Sequence, residues 1–194
     1  MTARPKPPPP PTEAALRESA YASLARRAAS VAQLRTTLQR KITTWATRAQ
    51  RAGGDAMEID AAVNEAREAS ARVLRDLIER GLLDDVKFAA ARAQGLSQRG
   101  KSRRAIEAHL AAKGVASEIT REHVVIDSAS ELEAAVRLAR KRRIGPFAEE
   151  ASTPELRHKA LGVLARAGFD FSTCERVLRL ERESAEAMLG TRGW

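Results

Sequence analysis

The sequence predicts an all-α protein, an elongated tandem array of three-helix repeats. Three observations predict it. Alanine fills 38 of 194 positions, and so many small helix formers favour helices packed at close range. Aromatic residues amount to 4% and β-branched residues are few, which argues against a β-sandwich or barrel. Apolar residues recur three and four apart in segments bounded by capping residues and glycines, the pattern of short amphipathic helices.

Charge and cysteine content narrow the class. Lys and Arg number 34 against 25 Asp and Glu, a formal charge of +9. Most of the cations are arginine, whose planar fork suits phosphate or carboxylate, so an anionic partner is expected, nucleic acid or an acidic protein surface. A single cysteine, Cys174, excludes an internal disulfide framework and a Cys-rich zinc site. No apolar run reaches the roughly 18 residues that a membrane span needs. The N-terminus carries five consecutive prolines, Pro7 to Pro11, where a signal peptide would carry an apolar segment. The expectation is a cytoplasmic protein with no membrane contact.

The elements follow in order. Residues 1–12 read as a disordered proline-rich arm. Thr12-Glu13 opens a helix with Leu16, Ala20, Leu24 and Ala28 on one stripe. Ser30 caps a second, carrying Val31, Leu34 and Leu38. Gly53-Gly54-Asp55 interrupts the chain, and from Asp55 to Arg80 there is neither Pro nor Gly, with Ile59, Val63, Val73 and Leu77 at helical spacing. Gly81 supplies a left-handed cap. Asp84 or Asp85 caps the next helix, and Ser102 opens one with Ile106 and Leu110 that closes at Gly114. Ser117 starts a short helix whose continuation, His123-Val124-Val125-Ile126, has a β-like composition. Ser130 caps a helix that runs through Leu132 and Val136 into Arg140-Lys141-Arg142-Arg143 and stops at Gly145-Pro146. Thr153-Pro154-Glu155 starts another, ending at Gly168. Ser172 caps a final helix with Val177, Leu178 and Met188. Tyr21, Phe88, Phe169 and Phe171 are expected in the core, and Trp194 as a loose terminus.

Three segments repeat one another. Those beginning at Ser30, Ser102 and Leu156 stand 72 and then 54 residues apart. Each carries an apolar pair and a basic residue near its end, and two close on Gly followed by an apolar residue. The repeat divides the chain after the arm into units at 13–83, 84–128 and 129–190, the first with an insertion.

One stretch is more specific. Asp76-Leu77-Ile78-Glu79-Arg80-Gly81-Leu82-Leu83-Asp84-Asp85-Val86-Lys87-Phe88-Ala89 resembles the signature of the RecX family of recombination regulators, in which Gly-Leu-Leu-Asp-Asp joins two helices. Gly81 allows a positive φ, Leu82 and Leu83 plug the junction, and an Asp caps the following helix. Arg99-Gly100-Lys101-Ser102-Arg103-Arg104-Ala105-Ile106 is similar to the family's basic turn, Lys113-Gly114-Val115 to its close, and Leu164-Ala165-Arg166-Ala167-Gly168-Phe169-Asp170 to the same pattern in the last unit. The likeness covers roughly 14–180. Two features depart from it: the arm, and the longer passage at 43–71 that contains Trp45 and Gly53-Gly54. The resemblance implies tandem three-helix repeats and a non-enzymatic regulator without a cofactor. Such a regulator binds the RecA nucleoprotein filament and inhibits its growth and activities (ATP hydrolysis, strand exchange, coprotease) in recombination, DNA repair and the SOS response. Its partners would be the RecA filament and single- or double-stranded DNA through backbone contacts, with the chain acting as a monomer.

The residues offer contact sites of that kind. Arg99, Lys101, Arg103 and Arg104 form one basic cluster, Arg140, Lys141, Arg142 and Arg143 a second, and Arg26-Arg27 a smaller third. Contacts of this type position a partner's phosphates without reading bases. Their alternative is a solvated face, and at 140–143 the ordinary preference for cations at a helix C-terminus. Trp45 could anchor in a partner. His109, His123 and His158 stand apart, with no second ligand at helical spacing, so no metal site is expected. Gly95-x4-Gly100-Lys101-Ser102 fits a phosphate loop in form only, because Phe88 to Gln94 before it reads as helix and not as the required strand. No catalytic residues are expected. The competing reading is a general basic helical DNA-binding protein acting without RecA.

Overall fold

A computed structural model describes residues 7–150 and 153–190; Trp194 lies outside them. All regular structure among the described residues is helical: α1 (Glu13–Arg26), α2 (Val31–Arg51), α3 (Ala56–Glu79), α4 (Asp85–Ser97), α5 (Arg103–Ala112), α6 (Ser117–His123), α7 (Ser128–Arg142), α8 (Pro154–Arg166), α9 (Phe171–Arg179) and α10 (Arg182–Gly190), with a short 3-10 turn at Gly145–Phe147. The protein is therefore all-α. None of these helices is long and apolar enough to cross a membrane. The chain divides into two compact units, 1–88 with 113–115, and 89–112 with the residues from 116 onward.

In the first unit α1, α2 and α3 enclose a core that includes Leu16, Leu34, Leu38, Val73, Leu77 and Leu83. The longer passage at 43–71 is helical apart from the turn at 52–55. It consists of the far turns of α2 and α3, which form a helical hairpin closed at Gly53 (φ +80°) and restarted by Asp55, whose carboxylate accepts the amides of Met57 and Glu58 at 2.9 and 3.0 Å. At the other end of α3 the amides of Leu82 and Leu83 both bond to the Leu77 carbonyl. That closure carries Leu83 into the core and leaves Leu82 half exposed, so only one of the two leucines plugs the junction. Both aspartates are used: Asp84 caps α4 through the amides of Val86 and Lys87, while Asp85 accepts the Val31 amide at the start of α2 (2.9 Å).

The second unit builds its core from Leu132, Val136, Leu164, Phe169, Cys174 and Val177. Cys174 is buried, its Sγ donates to the Phe169 carbonyl, and burial pushes the thiol up. It fills space as an apolar group.

Several expectations are corrected. Helix α7 is capped by Asp127 and not Ser130, and α9 by Asp170 and not Ser172. In each case a carboxylate stands two or three residues earlier on extended backbone and takes the first free amides. The final helix is two, because the backbone at Leu180 turns extended between α9 and α10. Residues 124–127 carry no regular structure after α6 ends. Tyr21 and Phe171 are exposed: Tyr21 lies off the α1 stripe of Leu16 and Ala20, and Phe171 sits a turn ahead of Cys174 and Val177, the residues of α9 that enter the core.

A polar clamp occurs in both units at positions that the repeat relates. Ser30 Oγ accepts the Gln33 amide, capping α2, and donates to the Lys113 carbonyl just before Gly114. Ser102 Oγ accepts the Ala105 amide, capping α5, and donates at 2.7 Å to the Ala167 carbonyl just before Gly168. A carboxylate then takes the next amide, Asp85 at Val31 and Glu131 at Arg103. Each clamp lets one hydroxyl satisfy a helix N-terminus and a carbonyl left over at a helix C-terminus.

Candidate functional site

The site lies in the second unit and begins with a missing side chain. After α4 the chain turns through Gly100, which has φ +73° and is buried. A Cβ there would stand 3.0 Å from the Leu138 amide nitrogen and 3.1 Å from the Ala134 carbonyl. Glycine therefore lets the turn rest directly on the α7 backbone and sets Arg99 and Lys101 beside the last turn of α7. That last turn holds Arg140, Lys141 and Arg142, where cations also answer the partial negative charge of the helix end. Two basic clusters far apart in sequence meet in this way.

Between them is a cavity of about 590 Å³, lined by Arg99, Lys101, Lys141, Arg142 and Arg166 over Leu138, Val163 and Ala167. No carboxylate is among its described lining residues. Five cations around one depression repel one another, and an anion placed among them relieves the repulsion. A neighbouring cavity of about 1160 Å³ shares Arg99 and Lys141 and adds Arg137 and Arg140. There Arg137 is paired with Glu133.

Four of the eight site residues expected from sequence thus share one groove: Arg99, Lys101, Lys141 and Arg142. Arg140 lines the adjoining cavity. Arg103 pairs with Glu107 at 2.9 Å and Arg143 with Glu149 at 3.4 Å. Arg104 is exposed on α5 and lines neither cavity. Arg26 and Arg27 end α1 in the first unit. Sequence reasoning missed Arg166 and Arg137. The basic residue near the end of each repeat was the signal for Arg166, and the four-residue spacing from Arg137 to Lys141 was the signal for Arg137.

The groove's floor is held by the clamp. Glu131 is buried and takes the Arg103 amide at 2.8 Å. Burial raises its carboxyl above the usual range, outweighing the lowering by that amide. A carboxyl raised in the folded state favours folding below its ordinary titration range and loses that contribution as pH rises through the folded value. Glu131→Gln keeps an acceptor for the Arg103 amide, so its stability relative to the parent chain is expected to improve as pH rises above the ordinary glutamate range. Urea melts across that rise check it, and a difference that stays flat with pH would contradict the assignment.

The formal phosphate-loop match does not form one. Gly95 lies inside α4, and Ser102 is fully buried with its hydroxyl committed to Ala105 and Ala167.

The family model described as RecX, second three-helix domain, matches 84–123. Among curated relatives named Regulatory protein RecX, that of Myxococcus xanthus is 39% identical over 105 residues, 53% of this chain and 56% of the relative. That of Agrobacterium fabrum is 33% identical over 107 residues, 55% of this chain and 57% of the relative. That of Mycobacterium leprae is 40% identical over 120 residues, 59% of this chain and 70% of the relative. The match thus spans little more than half the length of the first two relatives.

Proposed function

Since the chain belongs to the RecX family of regulatory proteins, we propose that it binds the RecA nucleoprotein filament and inhibits its growth, ATP hydrolysis, strand exchange and coprotease activity in recombination, DNA repair and the SOS response. It acts without chemistry of its own, in the cytoplasm, as a monomer built of three repeats at 13–83, 84–128 and 129–190. The observation that supports this reading is the groove of Arg99, Lys101, Lys141, Arg142 and Arg166 with no carboxylate in its lining. Such a surface takes a polyanion, either the DNA backbone or an acidic wall of the filament, through charge-assisted contacts that carry no base specificity. Of the eight basic residues expected from sequence, Arg103 and Arg143 contribute less, because each already holds a carboxylate.

The test is DNA-stimulated ATP hydrolysis by RecA with the chain titrated in. Changing Arg99, Lys101, Lys141 and Arg142 to glutamine is expected to raise the concentration for half-inhibition about thirtyfold, four exposed charge contacts at ~0.5 kcal/mol each. Changing Arg103 and Arg143 together is expected to shift it far less. Inhibition indifferent to the four-residue change removes the groove from the contact surface. Absence of inhibition, with RecA-independent DNA binding that falls steeply with salt, would instead mark a general DNA-binding protein.

A further inference from the structure

The arm and the lengthened α2–α3 hairpin, the two features outside the family pattern, belong to one structural feature in the first unit. The indole Nε1 of Trp45 donates to the Pro8 carbonyl at 2.9 Å. Pro7 reaches the hairpin turn, where a Cβ on Gly54 would stand 3.4 Å from its Cγ. Thr12, at φ −72° and ψ 162°, delivers the arm into α1. Between arm and helices is a cavity of about 740 Å³. Its wall on α2 is a single stripe, Thr37, Arg40, Lys41, Thr44, Trp45 and Arg48, spaced three and four apart beside the core stripe of Leu34, Leu38 and Ile42.

These are the parts of a polyproline recognition site. A chain in that conformation has no internal hydrogen bonds, so its carbonyls remain open to a donor, and its rigidity reduces the entropy lost on docking. An aromatic wall with an N–H at its edge, flanked by polar side chains, supplies both ring packing and the donor. We propose that the Trp45 face of α2 is a polyproline II recognition surface whose occupant is the chain's own residues 7–12. The arm is a reversible latch on Trp45, held in place by tethering at Thr12.

Trp194→Phe leaves Trp45 as the one tryptophan of the sequence. On that background, replacing Pro7 through Pro11 with glycine is expected to shift Trp45 emission to the red and increase its quenching by acrylamide, with the helical circular dichroism unchanged. A free peptide of sequence Lys-Pro-Pro-Pro-Pro-Pro-Thr should reverse both changes in the glycine chain at roughly millimolar concentration, the range that a short tether replaces. The same peptide should leave the parent unaffected, because its face is occupied. A glycine-serine peptide of equal length should do nothing to either. Identical emission from parent and glycine chains, or indifference of the glycine chain to the proline peptide, overturns the proposal. Should the glycine chain misfold, exchange of the Trp45 indole N–H in the Trp194→Phe chain decides: slowed exchange supports the latch, and exchange at the rate of a free indole refutes it.

Discussion

Gly114→Ala is expected to destabilise the first unit by at least ~3 kcal/mol, whereas Gly81→Ala costs about 1 kcal/mol, although each adds a single methyl to a glycine of positive φ. The two positions share the strain and differ in space. At Gly81, φ +67°, an added Cβ meets nothing within 4 Å. At Gly114, φ +74°, it would lie 2.3 Å from the Ala32 Cβ. Relief requires the first turn of α2 to move, and the Ser30 bond to the Lys113 carbonyl lies in that same turn. Losing that part-buried bond adds ~1 kcal/mol. A double-mutant cycle separates the two causes. Ala32→Gly removes the atom in the way, so Gly114→Ala on that background should cost little more than Gly81→Ala. Urea unfolding followed by circular dichroism measures all the terms. If Ala32→Gly recovers nothing, close packing against α2 is not what requires glycine at 114.

How much of this was legible in the sequence depends on the range of the interaction concerned. Helix starts and stops are local, so Thr12, Ser30, Ser102 and Gly81 could be read from single residues and their neighbours. Where two capping residues competed, at Asp127 and Ser130 or Asp170 and Ser172, a sequence pattern could not say which would lie on extended backbone. The dual use of Ser30 and Ser102 was half visible: their capping roles follow from spacing, but their bonds to Lys113 and Ala167 span 83 and 65 residues. The groove was hidden for the same reason. The runs at 99–104 and 140–143 were plain as charge, yet what joins them is the contact of Gly100 with the α7 backbone, and a glycine in sequence announces a turn without naming what it presses against. Trp45 stood out as an aromatic residue in an unusual passage. Nothing local linked it to Pro8, 37 residues away.

Leu83→Ala is expected to cost ~3 kcal/mol and Leu82→Ala less than ~0.5 kcal/mol, two identical substitutions at adjacent positions of the Gly-Leu-Leu-Asp-Asp turn. Leu83 is 2% exposed and packs within the first unit's core, while Leu82 is 53% exposed. Truncating Leu83 removes buried methyl groups and leaves a void that α2 and α3, each more than twenty residues long, cannot close by small shifts; truncating Leu82 removes surface that water already reaches. Both leucine amides bond to the Leu77 carbonyl, so neither change touches the backbone closure, and the difference isolates side-chain burial. Denaturant melts with an unchanged slope would place the effect in stability itself. A Leu82→Ala chain as unstable as Leu83→Ala would mean that Leu82 is covered in solution, and the half-exposed Leu82 and Ile78 would then have to be read as a buried surface.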